Sequence, residues 1–428
     1  MDGLIEMVYS ACISWLKDWV EAEQVSLVDE YDLAQWMELE MKEATKTFLT
    51  YAFKSAKARN DALAILRSLF YEHYLMEREI AIRNLKPNPE LVERLPKLPQ
   101  SVQKSAAWHA ESRNMLSGHE IGPVCMGPVS ERTLVLRKKC GPEVHTNPGD
   151  EVGESQTVYL TSDDGKLSAF KWGWRYEPVA RQLFEQCIAE GTVFDGLGRI
   201  RHPTLPRLGA SPDGLIMNGP RCGRLVEIKC PPSRVINGSI PIHYYCQMQL
   251  QAEVCDAEAV EYFEVQFAAC PQEKISMDIL SRSKQPWIGK VCVVAENENT
   301  LPSQYTYQYS PLFSNTVKGF SECLAWTPEG VVLESSIWYV KDYFHSTVLR
   351  NRRWWEAVGC PAYTEFWEEV DCARSTDKFK PVAMFVDSAS EGGNDHESYD
   401  TFVGVDDSPT DNTSDERAKN SVGWIGVE

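Results

Sequence analysis

The 428-residue chain is 43% hydrophobic and 25% charged, a globular composition with core material for one large or two medium domains. Its formal net charge of -19 excludes a uniformly basic nucleic-acid binder, so any surface for nucleic acid has to be a local groove. No apolar run approaches the roughly 18–20 residues of a membrane helix, and the opening MDGLIEMVYS carries an acid where a signal peptide carries bases; the sequence therefore predicts an intracellular protein with no membrane partner.

From Ile5 to about Leu85, SWLKDWVEAEQ and AILRSLFYEHYLMEREIAIRNL space apolar residues by three and four, which predicts a helical N-terminal region. LKPNPELVERLPKLPQS is proline-rich and reads as a linker, so residues 1–100 form the first division of the chain. Helix and strand signals then alternate over 101–347. AAWHAESRNMLS and KWGWRYEPVARQLFEQCIAEG read as helices, the second closed by Gly191 and with Pro178 fitting a first turn. RLVEIKCP reads as a strand with Val226 and Ile228 on one face and Glu227 and Lys229 on the other. YYCQMQLQAEVC is helical and AVEYFEVQF is a strand, which together make an α/β core with a mixed sheet. SSIWYVKDYFHSTVLRNRRWWEAVG and AYTEFWEEVDC read as C-terminal helices, assigned to 348–386. Residues 387–428 hold eleven acids and two bases, are poor in aliphatic residues, and read as a disordered acidic tail.

The 13 cysteines include no CxxC pair and the eight histidines no HxxxH or HExxH spacing, which argues against zinc and against a disulfide framework. The chemistry lies in LGASPDGLIMNGPRCGRLVEIKCPP, Leu208 to Pro232. Pro212 and Gly214 suit a turn around Asp213. Glu227 follows fourteen residues later, a gap long enough for a hairpin that returns the strand to Asp213. Lys229 shares the face of Glu227, ~6.6 Å along the strand. Two carboxylates with a nearby backbone carbonyl, that of Ile228, are hard oxygen donors of the kind magnesium takes. A lysine beside them can orient or polarise an attacking water, or neutralise developing charge. That set suits phosphodiester hydrolysis.

GASPDG...VEIKCP resembles the core of the PD-(D/E)xK nucleases, specifically the phage lambda-type exonuclease group, also called YqaJ-type viral recombinases. The resemblance runs from about Ser105 to Phe267. KWGWRYEPVARQLFE is similar to the family's G...yEp.Ar..fe helix, which implies that Glu177 is an acid near the metal. In AAWHAESRNMLSGHEIG, Trp108 and Arg113 match the family's W...R pattern, whose arginine is implied in binding a DNA 5'-phosphate. HYYCQMQLQ matches Y..Q.Q and supplies Gln247 and Gln249. These lie two apart on a helix, so one faces the site while the other packs or caps; the resemblance favours Gln247, whose spacing from Lys229 better matches the family's. Ser211 matches the family's second phosphate-contacting serine, and Arg234 lies near a position that touches DNA. The family's TaS after the arginine reads Ser117-Gly118-His119 here, a departure that puts the recognition of a free DNA end in question.

The resemblance implies a restriction-endonuclease-like core and a nuclease using Mg2+ or Mn2+. Asp213, Glu227, Ile228 and Glu177 would serve the metal, Lys229 and Gln247 the water, and Arg113, Ser211, His119, Arg234 and Gln249 the DNA. It implies 5'-to-3' digestion of double-stranded DNA, a single-strand annealing protein as partner, and either a homo-oligomer or a monomer. An endonuclease of the alkaline-nuclease type that also cuts RNA is the second reading, and an inactive DNA-binding fold the third. The basic clusters LRKKC, holding Arg137 to Lys139, and RNRRWW, Arg350 to Trp355, either track a DNA backbone or are solvated faces.

Overall fold

The computed structural model describes residues 6–7, 10–11, 13–15, 17–18, 29–103, 105–141, 158, 160–161, 167–280, 283 and 285–376. Most of SWLKDWVEAEQ and the acidic tail at 387–428 lie outside the described residues.

From residue 30 onward come two long helices, α1 (Glu30–Ala52) and α2 (Ala56–Asn84). Asp29 caps the first by accepting from Tyr31 N and Asp32 N, and Ser55 caps the second by accepting from Ala58 N. Both helices are tied to the rest of the molecule. Tyr245 Oη donates to Asp29 Oδ1 at 2.8 Å, and Arg78 Nη2 donates to the Thr347 carbonyl at 2.7 Å. The proline-rich stretch is packed rather than tethered: Pro89–Arg94 forms α3, with Asn88 as its cap. Leu91 and Leu95, one turn apart, are 2% and 0% exposed because both enter the main core.

Three short helices follow, α4 (Ala106–Ser112), α5 (Gly118–Cys125) and α6 (Val129–Cys140), and then the long helix α7 (Ala169–Phe184). Pro178 sits well inside α7 and not in its first turn, because the helix begins at Ala169. After it the chain turns at Glu190, which has φ of +52°, while Gly191 is required because a Cβ there would overlap the Asn218 carbonyl.

The strands are β1 (Gln100–Ser101), β2 (Val193–Phe194), β3 (Arg199–Arg201), β4 (Gly209–Ala210), β5 (Gly214–Ile216), β6 (Leu225–Lys229), β7 (Ala259–Pro271), β8 (Trp287–Ala295), β9 (Thr306–Tyr309), β10 (Phe313–Ser314) and β11 (Val331–Leu349). Strands β1, β3 and β4 make a small sheet. The main sheet runs β10-β8-β11-β7-β6-β5-β2, with β9 paired to β8. Its pairs are antiparallel except β6 with β7, which is parallel and is bridged by helix α8 (Ile242–Cys255). The expected α/β architecture with a mixed sheet flanked by helices is therefore what the structure shows. Helices α9 (Val317–Ala325) and α10 (Cys360–Ser375) complete it.

The sheet buries both faces. Val226, Ile228, Phe263 and Val265 pack under Tyr176, Val179 and Leu183 of α7. Leu225, Val260 and Tyr262 pack under Met248, Leu250 and Val254 of α8. Adjacent residues of β6 thus serve opposite cores, as the alternation of an extended chain requires.

SSIWYVKDYFHSTVL is not a helix. It is the greater part of β11, which pairs with β7 along Ser336–Leu349 and with β8 along Val331–Tyr339. Its β-branched and aromatic residues suit a pleated surface with strands on both sides, and those partners are distant in sequence. The expected boundary at 347/348 falls inside this strand, and the C-terminal helices begin beyond it. AYTEFWEEVDC does lie within α10.

Candidate active site

The hairpin β5–β6 places Gly214 opposite Val226, and Asp213 stands immediately before it. Asp213 N donates to Val226 O at 3.1 Å, and Ile228 N donates to Asp213 Oδ2 at 2.8 Å. The aspartate side chain therefore continues the pairing where β5 stops. In an extended strand the N–H and C=O of one residue point to the same side, so the Ile228 carbonyl faces the Asp213 edge.

Glu227 is fully buried on the face toward α8. Its Oε1 receives Lys229 Nζ at 2.5 Å and Gln247 Nε2 at 2.6 Å, and its Oε2 receives Gln251 Nε2 at 2.6 Å. Lys229 Nζ also donates to Gln247 Oε1 at 3.3 Å and stands 4.7 Å from the centre of the Tyr244 ring. Burial alone would lower the Lys229 pKa, but the charges of Glu227 and Asp213 outweigh it and the ammonium is held above its usual range. Asp213 behaves oppositely. Burial, then the negative charges of Glu227 and Glu177, push its carboxyl well above the usual carboxylate value. Glu177, half-buried on α7, reaches the site through this field, which also falls on the Cys230 thiol beside Lys229.

Glu227 and Asp213 thus act on one ammonium while the charge of Glu177 adds to the field on Asp213, an excess of negative charge. Residues 107–258 match the YqaJ-like viral recombinase domain.

The match bears out the resemblance carried by the motifs. A stretch of 185 residues is 25% identical to an uncharacterized protein of Acanthamoeba polyphaga mimivirus, covering 40% of this chain and 30% of that protein. The chain thus spans about 30% of the length of the curated relative it matches. Among solved structures, an alkaline exonuclease from Laribacter hongkongensis aligns at 16% identity and a TM-score of 0.37, over 64% of this chain and 96% of that one. The shutoff and exonuclease protein of Kaposi's sarcoma-associated herpesvirus aligns at 10% identity and a TM-score of 0.24, over 81% and 85%.

Within the YqaJ-like segment the remaining predicted residues take several positions. Ser211 accepts from Trp108 Nε1 at 3.3 Å, and the Arg199 guanidinium covers the Trp108 ring at 4.0 Å. Gly118 abuts the site, because a Cβ there would come 2.9 Å from Gln247 Cγ. His119 beside it is 48% exposed; the protein packed around its ring, with the charges of Lys138, Lys139 and Lys229, lowers its pKa to about 4 against the pull of Glu120. Arg113 ends α4 and turns toward the end of α6, where its Nε donates to Gly141 O at 2.7 Å. Arg234 is joined to Glu264, which is fully buried on β7 beside Lys229. Gln249 does not join the site. Its Nε2 donates to Leu349 O at 2.8 Å and its Oε1 accepts from Asn351 N at 2.7 Å, which ties α8 to the end of β11.

Three features of the site escaped the sequence. Gln251 holds the second oxygen of Glu227; its spacing of four from Gln247 in YYCQMQLQAEVC puts both on one helical face and was the available signal. Glu264 carried none, because its place follows from the register of β7 against β6. Lys139 is wholly buried, with Nζ donating to Ser112 O, Met115 O and both oxygens of Glu120 at 2.6–2.8 Å. It therefore braces the loop bearing Arg113 and the start of α5 and does not face solvent, whereas Arg137 and Lys138 of the same cluster are exposed. Likewise Arg350 pairs with Glu253 and Asp256, Arg352 pairs with Glu258, and Trp354 and Trp355 are buried in the core.

Among the described residues no three His, Cys, Asp or Glu side chains are grouped to hold an ion. The donor chemistry nevertheless fits a hard divalent cation. Asp213, Glu227 and the Ile228 carbonyl offer oxygens, their charge is unbalanced, and the buried Gln251 Oε1 beside them has no hydrogen-bond partner.

Proposed function

We propose that this chain is a Mg2+-dependent deoxyribonuclease that digests double-stranded DNA from a 5'-phosphorylated end and leaves a 3' single strand. The observation that carries this reading is the buried Asp213, Glu227 and Lys229 set, with its excess negative charge, inside a YqaJ-like segment. Asp213, Glu227 and the Ile228 carbonyl are the residues that would hold the metal, with Glu177 nearby. A bound magnesium or manganese ion neutralises phosphate charge and acidifies water.

The protein's own groups do the rest. Lys229 stays charged and is fixed by Glu227 and Gln247, so it presents an N–H donor to charge developing on a phosphate without reorganising. Gln247 bridges acid and lysine and orients both. Ser211 and Arg113 contact the terminal phosphate. His119, with its pKa lowered to about 4, is neutral near pH 7 and offers a hydrogen bond but no charge. A single-strand annealing protein would take up the product strand.

His119 standing where the family has a serine also favours the second reading, an endonuclease that needs no free end. Digestion of linear duplex with and without a 5'-phosphate, beside covalently closed circles, separates them. The exonuclease reading expects linear, phosphorylated DNA to disappear in Mg2+ while circles persist, and Glu227→Ala to be inactive. Rapid nicking of circles selects the endonuclease. Undiminished cleavage by Glu227→Ala overturns the mechanism.

A further inference from the structure

Helix α7 divides its aromatic residues between two environments. Trp172 and Tyr176 turn inward, with ring centres 4.4 Å apart, and Tyr176 stacks on Phe267 at 5.2 Å, filling the core over the sheet. Phe170 and Trp174 do not share that face. Phe170, Gly173, Trp174 and Glu177 stand at positions i, i+3, i+4 and i+7, so they line one stripe of the helix. Glu177 is the end of that stripe whose charge acts on Asp213. At the other end Phe170 is 61% exposed, with its ring 5.1 Å from that of Trp174. Between them Gly173 opens on free space: a Cβ there would meet nothing within 4 Å. The stripe is thus continuous with the candidate active site. Trp174 lies one turn from Glu177 and Phe170 about 10 Å away along the axis.

We propose that Phe170 and Trp174 form a stacking platform for an unpaired nucleobase of the DNA strand beside the scissile phosphate. This rests on the nuclease reading above. Of this pair Phe170 is exposed and Trp174 half-buried, and the stripe they share runs on to Glu177, whose charge acts on Asp213. The stripe is two rings wide and ends in an acid, which suits the π-face of a base and not an acyl chain or a broad protein surface. A nuclease that digests one strand of a duplex leaves bases of the other strand unpaired beside the cut, and an unpaired base exposes such a face. Stacking on aromatic side chains tolerates any sequence, as a processing nuclease requires.

The test uses the full chain and a duplex carrying 2-aminopurine at each of the three nucleotides flanking the cleavage point, with Ca2+ replacing Mg2+ to slow cleavage. Wild type is expected to quench one position strongly. The double variant Phe170→Ala, Trp174→Ala should lose the quench and bind about five- to a hundred-fold more weakly. Phe170→Tyr with Trp174→Phe should keep both, which a general structural defect would not allow. An abasic nucleotide at the quenched position should weaken wild type and leave the double alanine variant unchanged. Equal quenching by the double alanine variant, or an equal abasic penalty in both proteins, overturns the platform alone. Failure of wild type to bind or cleave linear duplex overturns the nuclease reading, and the platform with it.

Discussion

Glu227 and Glu261 are neighbours in space and opposites in surroundings. They lie on adjacent parallel strands, one register step apart, on opposite faces of the sheet, and both are fully buried. Glu261 is met by Arg224 at 2.8 Å, Arg221 at 3.6 Å, His345 Nε2 at 2.6 Å and Thr347 Oγ1 at 3.0 Å. One carboxylate there faces two guanidinium groups. Burial pushes its pKa up, but His345 and Arg224 more than offset this and it sits below the usual value. Glu227 shares a single ammonium with Asp213, and Asp213, under the charges of Glu227 and Glu177, is pushed well above the usual value. Burial of an acid therefore does not distinguish a structural group from a functional one. The balance of charge around it does, because a balanced cluster is complete and an acidic one is left to be neutralised by something from solution.

The sharpest way to break this contrast is to remove each acid in turn. Glu227→Gln should lower the rate of DNA cleavage by about a thousand-fold or more, since several kcal/mol of charge stabilisation depend on it. Glu261→Gln should leave the folded protein active but cost ~3–5 kcal/mol of stability, because the half-buried Arg221 and Arg224 lose the buried carboxylate they share. Rate assays beside urea melts read both, and exchanged outcomes would refute the contrast.

Adding Mg2+ should raise the melting temperature of wild type, by an amount that grows with ion concentration. Asp213→Asn should remove that response, whereas Glu261→Gln should keep it. Calorimetric titration of the ion into each protein measures the same loss directly.

Two glutamines on α8 sharpen the comparison within one helix. Gln251→Leu frees an oxygen of Glu227 and should reduce activity about 10–100-fold, as removal of a group that orients a metal ligand does. Gln249→Leu strands Leu349 O and Asn351 N and should cost about 1–3 kcal/mol of stability with little change in rate per folded molecule. Kinetics normalised to the folded fraction tell them apart.

The smallest effect is in pH. Asp213 has a raised pKa in the fold, so the metal-free protein binds more protons folded than unfolded and loses stability as pH rises above about 3.8. Glu261 is lowered, so its contribution is present above about 4.5 and is lost as pH falls through its folded value. Denaturation midpoints across pH 3–9 should flatten at the alkaline side in Asp213→Asn and at the acid side in Glu261→Gln.

Local spacing placed the hairpin and both faces of β6, because the period of two is a property of neighbouring residues, while Glu177 was marked by the resemblance of its helix to the family's. The resemblance also favoured Gln247 over Gln249, and in the structure Gln247 bonds Glu227 whereas Gln249 bonds Leu349. Sequence could not show that SSIWYVKDYFHSTVL is a strand, since its partners on β7 and β8 are remote and their ladders override local preference. Nor could it show that Lys139 is a buried brace, that Glu264 stands beside Lys229, or that Glu261 is balanced where Asp213 is not. Those are facts of register and packing, where charges distant in sequence come within a few ångströms and low solvent exposure makes their balance decisive.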